Sequence, residues 1–148
     1  MTNGSGERSG VIDSPMPLLI VEDDKEMRDL LTEALIEEGY RAESVPDGAQ
    51  ALIRLRTETF STIVLDQRMP GLSGLDILPG LKTICPDTPV ILITAFGDDN
   101  TRGEALEKGA SACLLKPFPM EELFRAVRHA LASGGGRVPA FPSSGTPS

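Results

Sequence analysis

Cysteine, basic charge and long apolar runs are all scarce in this chain. Only Cys85 and Cys113 occur among its 148 residues. Neither has a Cys or His neighbour at metal-ligand spacing, which excludes a disulfide framework and a structural zinc and suits a reducing compartment. Fourteen Lys and Arg stand against twenty-two Asp and Glu, a net charge of −8. A surface of that sign repels phosphate backbones and anionic lipids, so direct nucleic-acid binding is not expected. The longest apolar runs, such as Leu18–Val21 and Val90–Ile93, fall far short of the roughly 20 residues that cross a bilayer, and no membrane contact is expected. Residues 1–16 lack the apolar stretch of a secretory signal, which makes a cytoplasmic location the expectation. His129, the only histidine, reads as an exposed residue near a helix C-terminus, where positive charge is tolerated.

What is present is one domain's worth of alternating patterns. The ends differ from the middle: residues 134–148 are dominated by Gly, Pro and Ser, and residues 1–16 are similar, so both read as flexible around a folded unit at 17–133. Pro17 to Val21 reads as a buried strand, followed by Met27, Leu30, Leu31, Ala34 and Leu35 at the spacing of one helix face. Gly39 stops that helix. Tyr40 to Val45 alternates like a strand, and Asp47 caps a helix that turns Ala51, Leu52 and Leu55 inward. Thr62 to Leu65 is a third strand. A third helix runs to about Ile84 after the turn residues Pro70, Gly71 and Gly74, and Pro79 inside it predicts a kink or a later start. Val90 to Ile93 is a fourth strand, and a helix capped by Asp98 or Asp99 ends before Gly109. Ser111 to Leu115 is a fifth strand, followed by a helix striped with Met120, Phe124, Val127 and Leu131. Five strand-then-helix units imply an α/β fold with a parallel sheet covered on both faces.

Open parallel sheets bind ligands outside the carboxyl ends of their strands. At those ends stand Glu22 and Asp23 after the first strand, Asp66 after the third, Thr94 after the fourth and Lys116 after the fifth. Three carboxylates brought together repel one another and either take up protons or recruit a divalent cation, and an all-oxygen site of this kind suits Mg²⁺. Lys116 and Thr94 offer a cation and a hydroxyl donor to the oxygens of a transferred phosphoryl group. A carboxylate can itself be the nucleophile. Asp66 is the candidate, because it is a lone acid at a strand end. Asp24 reads as the cap of the first helix and Cys113 as a buried apolar filler.

The segments LLIVEDD, VLDQRMPGLSGLDIL, VILITAFGD and LLKPF, in this order and at these separations, resemble the receiver domain of two-component response regulators across about residues 17–133. The resemblance implies a flavodoxin-like (βα)5 three-layer sandwich with a five-stranded parallel sheet of order 2-1-3-4-5. It implies that Asp66 accepts a phosphoryl group from a sensor histidine kinase or a phosphotransfer protein. It also implies a Mg²⁺ held by Asp23, by Asp66, by Glu22 largely through water and by the backbone carbonyl of Arg68. Thr94 and Lys116 would bind phosphoryl oxygens, small Ala95 would leave the entrance open, and the bond before Pro117 would be cis. An unidentified downstream protein would dock on the face of the fourth helix, fifth strand and fifth helix.

The chain departs from the family pattern at Cys113, where the family has Tyr, Phe or His, so coupling by rotation of an aromatic ring is not supplied. Arg68 and Phe96 flank the site mouth, and Phe96 is expected to limit attack by water on the aspartyl phosphate. The leading expectation is a phosphorylation-controlled switch that is not an enzyme in its own right. The alternative is a phosphate sink or shuttle without conformational output, which Cys113 favours. An aspartate-nucleophile phosphohydrolase is discounted, because Arg68 stands where its acid would be.

Overall fold

The computed structural model of the protein describes residues 16–95 and 99–132, and of Asp99 the backbone alone. The expectations for the two chain ends, for Phe96 and for an Asp98 cap lie outside the described residues. The elements are β1 (Leu18–Val21), α1 (Lys25–Glu37), β2 (Ala42–Val45), α2 (Gly48–Thr57), β3 (Thr62–Asp66), α3 (Gly74–Ile84), β4 (Val90–Thr94), α4 (Asp99–Glu107), β5 (Ala112–Leu115) and α5 (Met120–Ala132). All neighbouring strands are parallel, in the order β2-β1-β3-β4-β5. This is the expected flavodoxin-like 2-1-3-4-5 sheet.

Period two along the strands divides the core between the two faces of the sheet. Leu19, Val21, Ile63, Leu65, Val90 and Leu92 point to one side, where they pack with Ala51 and Leu55 of α2, Ile77, Leu78 and Leu81 of α3 and Ala105 of α4. Leu18, Ile20, Val64, Ile91 and Ile93 point to the other, against Leu31 and Leu35 of α1 and Leu123 and Val127 of α5. Every residue of β1, β3 and β4 is buried, as strands covered on both faces must be.

The helix termini follow the expected chemistry. Asp24 accepts from the Met27 amide and Asp47 from the Gln50 amide. Gly39 and Gly109 take positive φ values of 105° and 107°, which glycine adopts without the Cβ penalty and which end α1 and α4.

Several expectations are corrected. Leu30 is 52% exposed, because the inward arc of α1 is narrow and carries only Leu31 and Leu35 fully buried. On α5 the fully buried stripe is Leu123, Val127 and Ala130, with Met120, Phe124 and Leu131 at its margins. The third helix does not start after Pro79. A capping box closed by Ser73 and Asp76 starts it at Gly74, and the helix continues through the proline. Asp99 is the first residue of α4 and not its cap. Gly74 belongs to α3 and not to a turn.

Candidate functional site

Glu22 and Asp23 follow β1, Asp66 ends β3, Thr94 ends β4 and Lys116 follows β5, so four parallel strands deliver these side chains to one edge of the sheet. The backbone ladder sets their heights: the Glu22 amide donates to Val45 O, the Gln67 amide to Ile93 O and the Lys116 amide to Thr94 O. Carboxylate oxygens of Glu22, Asp23 and Asp66 lie within 4.8 Å of one another. Glu22 and Asp66 are buried while Asp23 is exposed. The structure therefore brings together all five strand-end residues that the sequence singled out.

Lys116 Nζ stands 2.9 Å from Asp66 Oδ1 and 4.0 Å from Glu22 Oε1. Burial raises the pKa of Asp66, and the Lys116 ammonium and the backbone amide of Arg68 pull it back down. Glu22 is raised to about 7, chiefly by burial and then by the Asp66 charge, against the pull of the Asp24 amide and Lys116. Two buried side-chain oxygens here, Glu22 Oε1 and Thr94 Oγ1, have no hydrogen-bond partner. Such groups are costly in a folded interior and call for an explanation, a bound ion among them, although Thr62 Oγ1 at the far end of β3 is a third. Hard oxygen donors of this kind suit a divalent cation of the Mg²⁺ type.

The remaining expected positions surround this cluster. Arg68 is exposed and lines an open depression of about 390 Å³ with Asp23, Gln67, Met69, Pro70 and Ser73. Ala95 is exposed directly after Thr94. The Lys116–Pro117 bond is cis. Cys113 is 6% exposed and belongs to the core on the side of α2, α3 and α4, and His129 is exposed in the last turn of α5.

Three residues to which the sequence reading gave no part in the site also shape it. The Arg28 guanidinium donates to the carbonyls of Glu22, at 2.9 Å, and Asp23, at 3.3 Å, tying the acidic loop to α1. A basic residue one turn into a helix gives no pattern that distinguishes this use from a surface charge. Gln67 holds the start of α3 by accepting from the Gly74 and Leu75 amides. A Cβ on Gly74 would stand 2.7 Å from Asp66 O and 2.8 Å from Leu92 Cδ1, so only glycine lets α3 sit this close to the end of β3.

Comparison with known proteins agrees with this geometry. The family model described as the response regulator receiver domain matches residues 18–128. The transcriptional regulatory protein TcrA of Mycobacterium tuberculosis is 35% identical over 95% of this chain and 54% of its own length. The response regulator protein FleR of Pseudomonas aeruginosa is 36% identical over 86% of this chain and 26% of its own. The chain thus spans about half or less of the length of these relatives. Among solved structures, the receiver domain of NtrX from Brucella abortus superimposes with a TM-score of 0.76 at 29% identity, covering 79% of this chain and 99% of that one. The receiver domain of the Francisella response regulator 1452 gives 0.74 at 30% identity, covering 79% and 97%. No helix among the described residues is long and apolar enough to cross a membrane. With a five-stranded 2-1-3-4-5 sheet and an acid, threonine and lysine set at its carboxyl edge, the chain belongs to the response regulator receiver domain family.

Proposed function

We propose that Asp66 is the phosphoacceptor of a two-component phosphorelay, taking its phosphoryl group from a phosphohistidine on a sensor kinase or phosphotransfer protein in a Mg²⁺-dependent reaction. The observation that carries this reading is the contact of Lys116 with Asp66, together with two buried oxygens that make no hydrogen bond, Glu22 Oε1 and Thr94 Oγ1. A nucleophilic carboxylate needs one free oxygen and a charge-neutral approach for an anionic donor. Lys116 and the Arg68 amide orient the Asp66 carboxylate, and an Asp66 oxygen forms the new P–O bond as the P–N bond to the donor imidazole breaks. Lys116 then balances one phosphoryl oxygen, and the Thr94 hydroxyl gains the acceptor it lacks.

Asp23, Asp66, Glu22 and the Arg68 carbonyl are the groups to hold Mg²⁺, which when bound supplies charge stabilisation to the phosphoryl oxygens. We assign partner docking to the surface of α4, β5 and α5, where Leu106 is an exposed apolar residue. The sink or shuttle alternative rests on Cys113 alone and is not carried further.

Incubation with Mg²⁺ and acetyl phosphate tests the reading. One added phosphoryl mass, labile to hydroxylamine and absent in Asp66→Asn or with a chelator, is the expected result. A label that survives Asp66→Asn overturns it.

A further inference from the structure

We infer that Gln67 is a positioning residue for phosphoryl acceptance, locking the loop that carries the proposed metal-binding carbonyl and the Arg68 amide on Asp66. This rests on the phosphoacceptor reading above. The N-terminus of α3 has four backbone amides in need of acceptors, and every one is met locally. The Ser73 amide donates to Asp76 Oδ2 at 2.9 Å and the Asp76 amide to Ser73 Oγ at 3.1 Å. The Gly74 amide donates to Gln67 O at 3.0 Å, and the Leu75 amide to Gln67 Oε1 at 2.8 Å. The Gln67 amide is also engaged, with Ile93 O at 2.8 Å.

Gln67 therefore knits three pieces together: the end of β3, the end of β4 beside Thr94, and the first turn of α3. Its two bonds to α3 close residues 68–73 into a ring. That ring contains Arg68, whose amide donates to Asp66 and whose carbonyl is the proposed metal ligand. The bond from Gly74 N to Gln67 O is available to any residue at 67. The bond from Leu75 N needs a side-chain acceptor of this length, and it is part-buried. An apolar side chain at 67 leaves the Leu75 amide without a partner, and the ring keeps one closure where it had two. Groups that orient metal ligands in this way commonly change affinity by roughly 10-fold or more when removed.

The test compares wild type with Gln67→Met, which keeps length and shape and removes the acceptor, and with Gln67→Glu, which keeps an acceptor. Gln67→Ala serves if the methionine variant does not fold. Each is examined by Mg²⁺ titration calorimetry, by hydrogen exchange of the Leu75 amide, and by phosphorylation from acetyl phosphate across a Mg²⁺ series, well below the unfolding midpoint. Gln67→Met is expected to bind Mg²⁺ roughly 10-fold more weakly, to lose protection at Leu75, and to recover its phosphorylation rate at saturating Mg²⁺. Gln67→Glu is expected to keep Leu75 protected. A purely structural role would lower the unfolding midpoint and leave Mg²⁺ affinity of the folded protein unchanged, and that result overturns the inference. So does equal loss of Leu75 protection in Gln67→Met and Gln67→Glu. If wild type binds Mg²⁺ more tightly than Gln67→Met yet takes no phosphoryl group, the phosphoacceptor reading fails and the role of Gln67 at the metal loop stands. If wild type is phosphorylated and Gln67→Met matches it at every Mg²⁺ concentration, only the role of Gln67 fails.

Discussion

Two helices follow strands that end at the site, α3 after β3 and α4 after β4, and among the described residues they are held to different degrees. At the β3–α3 junction every amide of the first helical turn has a partner, Gly74 seats the helix against the Asp66 carbonyl, and α3 buries Gly74, Ile77, Leu78 and Leu81. By contrast, α4 buries only the small residues Thr101 and Ala105 among those described, and carries Gly103 in its interior with nothing within 4 Å of where a Cβ would stand. Asp66 is thus fixed from behind, while the helix after Thr94 is held by little apolar area. Low-stability elements are the ones that a local change can shift. The Asp66 side is the anchor, and α4 is the helix held by less.

The largest expected effect lies on the anchored side and depends on pH. Glu22 has a folded-state pKa of about 7 against an ordinary value of 4.5. A raised carboxyl holds its proton more tightly when folded, so the stability it contributes is fully present below about pH 4.5 and is lost as pH rises through 7. In chelator, wild type should lose about 3 kcal/mol across that window relative to Glu22→Gln, as read from urea midpoints. Added Mg²⁺ should shrink the difference. A Glu22→Gln variant with the same pH profile as wild type would remove the buried charge from this side of the comparison.

Gly74→Ala should follow, destabilising the fold by about 2 kcal/mol in urea titration, because the new methyl meets backbone at Asp66 and Gln67 and cannot be relieved by a side-chain rotation. Pro79→Ala should act in the other direction. Pro79 has no amide to give the Leu75 carbonyl, and its replacement should stabilise by roughly 1.5 kcal/mol, since the freer unfolded chain offsets part of the full interior penalty. That gain should leave phosphorylation unchanged, because α3 is held at its first turn. Gly103→Ala should stabilise by about 1 kcal/mol through helix propensity alone. If it also changes the lifetime of the phosphorylated form while Pro79→Ala does not, the contrast between the two helices is sharpened. Lys25→Ala, which removes an exposed i,i+4 pair with Asp29 at the start of α1, should leave the urea midpoint almost unchanged, because solvent screens such a pair.

Much of the architecture is visible in the sequence because it is periodic. Val90–Thr94 and Leu18–Val21 are uninterrupted apolar runs ending at polar residues, and a strand buried on both faces has no other way to look. The acid, threonine and lysine positions are legible for the same reason: each interrupts a run at the edge where ligands bind. Leu30 and Leu123 were not legible, since the spacing of one helix face permits both an inner and an outer choice until the neighbouring helix is placed. Gln67 and Arg28 escape pattern reading altogether, and Gly74 reads only as a turn residue. Each acts through one or two contacts fixed by chain path, such as the 2.8 Å bond from Leu75 N to Gln67 Oε1, and a single polar residue beside a strand has no periodicity to betray it.

The strand order carries a consequence for how the chain is made. β1 lies inside the sheet, bonded on one side to β2 and on the other to β3, whose residue Thr62 pairs with Leu18. As the chain emerges from a ribosome, β2 arrives soon after β1, yet the second edge of β1 stays open until residues 62–66 follow. During that interval the apolar run Leu18–Val21 presents unpaired backbone groups, the condition under which nascent strands associate wrongly. A stall or cleavage between residues 46 and 61 would release a fragment with that edge exposed, whereas one after β3 would not.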